Sequence, residues 1–157
     1  MSSSREQTRM SAGEVEAFIA ERKTLMVASL DRDGAPHLVP MWFAVRDGEI
    51  VFWTYRRSQK VLNLRRDPRL SCLVEAGESY GELRGVSMRG TATIVDDPDA
   101  VRRMGETIVL RYAGPLDDAA RQAVAAAVAA RAPKRVGVIF RPDHTATWDH
   151  RKLGGDS

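Results

Sequence analysis

At 157 residues the chain is long enough for one domain with a real core and too short for two independent ones. Its apolar fraction of 43% and charged fraction of 29% are those of an ordinary soluble globule. A net charge of +3 is small for the length and argues against a surface that neutralises many nucleic-acid phosphates. The single Cys72 has no internal disulfide partner. It alternates with Leu70 and Val74 and reads as a small buried hydrophobe in a reducing cytoplasm. One Cys and three scattered His offer no metal-ligand spacing. The polar N-terminus has no apolar signal core, and the low-polarity run 123–130 is too short to span a bilayer.

In chain order, residues 1–10 read as a flexible N-terminal tail and 11–157 as a single domain. Ser11-Ala12-Gly13-Glu14 is a capping box that opens a short helix carrying Val15, Phe18 and Ile19 on one face. An apolar run at 25–30 predicts a first strand, and Asp31-Arg32-Asp33-Gly34 turns the chain. A second strand is expected over 37–45, with Arg46-Asp47-Gly48 making the hairpin to a third at 49–55, so these strands should form an antiparallel meander. Pro40 lies inside the second strand. Having no N–H, it marks an edge, a bulge, or a face turned toward a planar ligand. Trp42 and Trp53 sit in facing strands, where burial in the core is the commoner fate of tryptophan.

The segment 52–64 is the most informative. An apolar strand ends, Arg56, Arg57 and Lys60 crowd Ser58, and an amphipathic helix begins at 59. Cations are ill placed at a helix start, because the first N–H groups already carry partial positive charge. An anion between them is the functional explanation, and a solvated basic loop the plain one. Arg65 and Arg66, at the far end, are favourable with the dipole and need no ligand. Asp67-Pro68 stops the helix.

Further strands are predicted at 69–75, 83–95, 134–141 and 145–148. The strand at 83–95 has a polar face of Ser87, Arg89, Thr91 and Thr93, suited to solvent or to a subunit interface. Asp97-Pro98 caps a helix bearing Val101, Met104, Ile108 and Val109. Asp117-Asp118 opens an Ala-rich helix with a thin core face, Val124 and Val128, which Pro133 ends. The fold class is therefore α+β, mainly β: a six- to seven-stranded antiparallel barrel with flanking helices.

With these elements in place, the chain from about 25 to 148 resembles the split β-barrel superfamily of pyridoxamine 5′-phosphate oxidase. The carriers are Asp33-Gly34-Ala35-Pro36, Pro40-Met41-Trp42-Phe43, and the positions Phe52, Trp53, Thr54, Ser58, Lys60, Asn63 and Leu64, which match a cofactor-phosphate motif. The run Asn63-Leu64-Arg65-Arg66-Asp67-Pro68 and the ending Trp148-Asp149-His150-Arg151-Lys152-Leu153 are similar to the subgroup that uses the deazaflavin coenzyme F420. The chain ends Lys152-Leu153-Gly154-Gly155 where the oxidases themselves carry Arg-Leu-x-Pro, which argues against vitamin B6 oxidation.

The resemblance implies a cytoplasmic F420-dependent oxidoreductase that passes a hydride from the reduced coenzyme to an electrophile such as an enone or quinone. Its alternatives are an FMN-dependent enzyme of the same fold, or a carrier of a flavin-type or tetrapyrrole ligand. The cofactor phosphate would lie against Arg57, Ser58 and Lys60, with Thr54 and Asn63 in the same motif and Arg56 near an anionic tail. The ring would lie along Pro40, Met41 and Trp42. Family members are homodimers with sites at the interface, where Trp148 either closes the partner's site or packs on its own barrel. His37, His144 and Tyr80 are conceivable proton donors, and their spacing selects none of them as catalytic.

Overall fold

The computed structural model describes residues 3–154. Among these residues seven antiparallel strands form one curled half-barrel sheet, with five α-helices. The strands are β1 (Leu25–Leu30), β2 (Pro36–Met41), β3 (Ala44–Arg46), β4 (Glu49–Tyr55), β5 (Arg69–Ala76), β6 (Arg84–Val95) and β7 (Arg135–Asp149). The helices are α1 (Ser4–Gln7), α2 (Ala12–Glu21), α3 (Gln59–Arg66), α4 (Pro98–Ala113) and α5 (Asp118–Arg131). Sheet order is β2-β1-β5-β6-β7-β4-β3. Only Trp42 and Phe43 separate β2 from β3, yet these strands stand at opposite ends of the sheet. Three peptide steps reach roughly 10 Å at most, so the sheet has to curl until its edges almost meet.

That crossing replaces the single second strand predicted over 37–45. The backbone of Phe43 is held by side chains instead of a ladder. Its N–H donates to the Tyr112 hydroxyl at 3.0 Å, and its carbonyl accepts from Arg111 Nη1 at 2.9 Å. The hairpins β1–β2 and β3–β4 form as expected, but β2 pairs only with β1, so the first three predicted strands do not make one continuous meander. The predicted strands 134–141 and 145–148 are one strand, β7. A bulge opposite Arg89 and Gly90 absorbs Pro142 and Asp143 without ending the ladder.

Two cores result. Inside the barrel lie Leu25, Val27, Phe43, Phe52, Val74, Val86, Val138 and Phe140. Outside it, α4 and α5 cover Ala44, Val51 and Trp53 with Val101, Met104, Ile108 and Val128. Strand β4 alternates between the two, Phe52 inward and Trp53 outward, and so is buried on both faces. Helix α4 comes so close to Trp53 that a Cβ on Gly105 would stand 2.6 Å from the indole. The residues expected as a loose tail are packed over their described part. Ser4–Gln7 is a capped helical turn, Met10 is buried in the barrel core, and Asp149 N–H donates to the Thr8 carbonyl at 2.8 Å. Met1 and Ser2 lie outside the described residues.

Candidate functional site

The turn from β4 into α3 places Thr54, Arg57, Ser58 and Lys60 together. Ser58 is the N-cap of α3, with extended backbone angles, but its hydroxyl makes no capping bond. Its Oγ is buried and has no hydrogen-bond partner. A buried polar atom left unpaired is uncommon and calls for an explanation. Two residues on, Lys60 Nζ donates to the buried Thr54 Oγ1 at 2.9 Å. Burial, and then the positive charge of Arg135, hold the Lys60 ammonium below the usual lysine range. The ammonium is thus partly desolvated, and its hydrogen bond to Thr54 goes to a neutral oxygen. Arg57 is exposed and has no partner among the described residues. A hydroxyl and two cations at a helix start are groups of the kind that form an anion cradle.

Arg56 has an ion-pair partner of its own. Its guanidinium pairs with Asp96, which also receives Arg65 Nη2 at 2.9 Å. The two arginines, first Arg65 and then Arg56, hold the Asp96 carboxyl below its ordinary range. One aspartate therefore ties both ends of α3 to the start of α4, and Arg56 has an internal reason to be where it is. The adjacent Asp97 takes the N-cap, accepting from Ala100 N–H at 2.9 Å. In sequence that cap signal concealed the second role of the Asp-Asp pair.

Asn63 is fully buried, and its amide is satisfied by protein. Nδ2 donates to Ser29 Oγ at 3.1 Å and to Asp31 Oδ1 at 2.9 Å, while Oδ1 accepts from Gln59 Nε2 at 2.9 Å. The residue thereby fixes α3 against β1, which pairs with β2 on one side and β5 on the other. Through β1 the cradle is held in register with the segment Pro40-Met41-Trp42.

Pro40 lies exposed on the sheet-edge strand β2, opposite Met26, as its missing N–H predicted. Met41 packs against the barrel core. Trp42 is 57% exposed and stacks on Tyr112, ring centroids 4.2 Å apart at 5°. The two hairpin tryptophans have therefore separated, Trp53 into the core and Trp42 onto the surface. Tyr112 is pinned by its hydroxyl, which donates to the Lys23 carbonyl at 2.6 Å. Arg111 Nη2 adds bonds to the carbonyls of Ala20 and Arg22 at 2.9 and 2.6 Å, satisfying the open end of α2. Both residues escape a sequence reading, because an arginine near the end of a helix already has a dipole explanation.

Trp148 is half-buried on its own barrel, lying so close over β6 that a Cβ on Gly85 would overlap the ring. Tyr80 is exposed, and its ring meets that of His150 at 4.6 Å. His37 carries a buried Nδ1 with no partner, across from Ser29. Burial pushes the Cys72 thiol up, so it is no nucleophile at neutral pH. Among the described residues no group of His, Cys, Asp and Glu is placed to hold a metal, and no helix is long and apolar enough to cross a membrane.

A curled antiparallel sheet with its edges joined by a two-residue crossing, and a basic strand-to-helix turn beside it, defines the split-barrel class of flavin-binding oxidoreductase folds. The family pattern described as pyridoxamine 5′-phosphate oxidase matches residues 11–149, and the chain belongs to that family. A conserved hypothetical protein of Mycobacterium tuberculosis, Rv2991, is 44% identical, with 99% of this chain and 95% of that one covered and a TM-score of 0.87. A pyridoxine/pyridoxamine 5′-phosphate oxidase of Kineococcus radiotolerans is 36% identical over 78 residues, which cover 50% of this chain and 34% of the relative. The match thus spans about a third of that curated protein. An F420 reductase shares the fold at 24% identity and a TM-score of 0.65, covering 83% of this chain and 94% of that one.

Proposed function

We propose that this chain is a coenzyme F420-dependent reductase acting on an electrophilic small molecule such as an enone or quinone. The observation that carries the reading is the buried, partnerless Ser58 hydroxyl beside the partly desolvated Lys60 ammonium. Such a pair fits one oxygen-rich anion, the phosphate that a flavin-type cofactor brings. Thr54 orients Lys60, Arg57 adds charge, and Asn63 holds the helix in place. The polar edge of the ring meets β2 at Pro40 and Met41, with the Trp42–Tyr112 stack as its wall. Bound there, a deazaflavin supplies the hydride, and the protein binds, orients and excludes water. The run Asn63 to Pro68, the ending from Trp148 to Leu153, and the F420 reductase among the structural relatives favour this coenzyme.

The second reading, an FMN-dependent oxidoreductase, is favoured by the curated relative's activity. The functional unit in either case is a homodimer with the cofactor at the interface. The outer face of β2-β1-β5-β6-β7 suits it, with Pro40, Met26, Leu73, Ser87 and Ala146 aligned in one cross-strand row.

Titration of the purified protein with F420 separates the readings. Quenching of the coenzyme's fluorescence, and oxidation of the reduced coenzyme by an enone or quinone, are expected. Lys60→Ala should weaken binding by about 1.5–3 kcal/mol, the scale of a charge-assisted hydrogen bond. A yellow preparation carrying FMN and indifferent to F420 would establish the second reading. Binding without turnover across a panel of acceptors would identify a carrier.

A further inference from the structure

A cavity of about 400 Å³ lies on the helical side of the sheet, among the β4–α3 turn, the start of α4, the end of α5 and the first residue of β7. Val101, Ala129 and Ala132 give it an apolar lining, and its charged residues are Arg56, Arg102, Arg135, Asp96 and Asp99. Two of the three arginines are already paired. Arg56 holds Asp96, which Arg65 also meets, and Arg102 Nη1 reaches Glu106 Oε1 at 2.7 Å. Arg135 differs from both. Its guanidinium lies over the rings of Trp53 and Tyr55, 4.5 and 4.3 Å from their centroids. Among the described residues no carboxylate pairs with it, and its Nε is buried without a partner. Stacking engages the flat face of a guanidinium and leaves the in-plane N–H groups for an acceptor. With Nε enclosed, the two Nη groups are the ones left to an acceptor in the cavity.

We infer that this cavity binds a small organic carboxylate, with Arg135 as its anchor and the apolar lining taking its body. The fork of a guanidinium matches two carboxylate oxygens. Rings against its face hold that fork in one orientation before a ligand arrives, which lowers the cost of binding. Three arginines against two aspartates leave a single positive charge over among the lining residues. That balance suits a monoanion and disfavours the double charge of a phosphate ester. The volume lies at the lower end of the range for small-molecule sites and has room for one ring or a branched chain. Arg57 and Lys60, which supply the charge of the cradle, do not line this cavity. The two sites are therefore distinct, and this one does not depend on which cofactor the cradle holds.

Calorimetric titration of the full chain, without cofactor, against benzoate, benzamide and benzylammonium tests this. Benzoate should bind roughly tenfold or more tighter than benzamide, the scale of one charge-assisted hydrogen bond, and benzylammonium should bind weakest. Arg135→Gln should remove the preference for the acid while benzamide binds as before. Lys60→Ala should leave all three affinities unchanged. Ala129→Met, at an exposed position lining the cavity, should block benzoate without removing a charge, and it stands in if the arginine variant fails to fold. Equal affinity for acid and amide, or full benzoate binding by Ala129→Met, overturns the inference. So does loss of benzoate binding in Lys60→Ala, since the anion would then sit in the cradle. Displacement of benzoate by saturating F420 also overturns it, because Arg135 would then belong to the cofactor site. A chain that binds benzoate but not F420 removes the cofactor assignment and leaves this site intact.

Discussion

Ser58 occupies the N-cap of α3 without making the bond for which serine is preferred there. Replacing a capping serine by alanine ordinarily costs about 0.5–2 kcal/mol, because an N–H of the first turn loses its partner. Here the cap bond is absent, and the buried hydroxyl is itself unsatisfied. Ser58→Ala should therefore leave the cofactor-free protein as stable as wild type, or more so, by thermal unfolding. The same change should weaken F420 binding by about 1 kcal/mol, a neutral hydrogen bond's worth. A clear drop in the melting temperature of the cofactor-free variant would show that the hydroxyl already has a structural partner. Arg56 and Lys60 look alike in the sequence. Both are cations near a helix start, and composition cannot show that one has found Asp96, forty positions away, while the other has only a threonine.

Elements whose signals are local were the ones that sequence resolved. The Ser11 box forms with Glu14 N–H donating to Ser11 Oγ at 3.2 Å, and Asp97 caps α4 as its Asp-Pro context requires. Helix α3 runs from Gln59 to Arg66, the range its amphipathic pattern predicts. What sequence left hidden depends on distant partners. Strand β2 ends at Met41 because Arg111 and Tyr112, nearly seventy residues on, take the backbone groups of Phe43. Strand β7 survives Pro142 because the bulge sits opposite Arg89 and Gly90 on another strand. The packing of α4 is a third such case. It needs a bare glycine against a buried, inflexible indole, and the usual gain of roughly 1 kcal/mol from Gly→Ala in a helix is outweighed by the overlap. Gly105→Ala should destabilise the fold, within the roughly 1–3 kcal/mol typical of overpacking, measured by denaturant midpoint. A stabilised variant would mean that α4 can move off Trp53.

For the whole molecule, the question is what covers the apolar end of the sheet's outer face, on β2 and β1. Leu38 is 61% exposed on β2, and its cross-strand neighbour Ala28 continues the patch onto β1. Pro40, Trp42 and Met26 lie near it, and cavities of about 860 and 660 Å³ open along the same side of the sheet. Edge strand β2 would offer an open ladder to other chains, and its two prolines limit that. Covering this face with a second copy, as the proposed dimer does, removes both exposures together and brings a partner's Trp148 region toward each cradle. A carboxylate at Leu38 would be stripped of water in such an interface, and desolvating it costs several kcal/mol. Leu38→Glu should therefore convert the dimer to monomer in sedimentation equilibrium, with the circular dichroism spectrum unchanged. F420 binding should fall with it, because each site then lacks its second half. Leu62 is 51% exposed on α3, off this face, so Leu62→Glu serves as the control and should keep the dimer mass. Dissociation by Leu62→Glu but not by Leu38→Glu would move the interface to the helical side and separate it from the β2 edge.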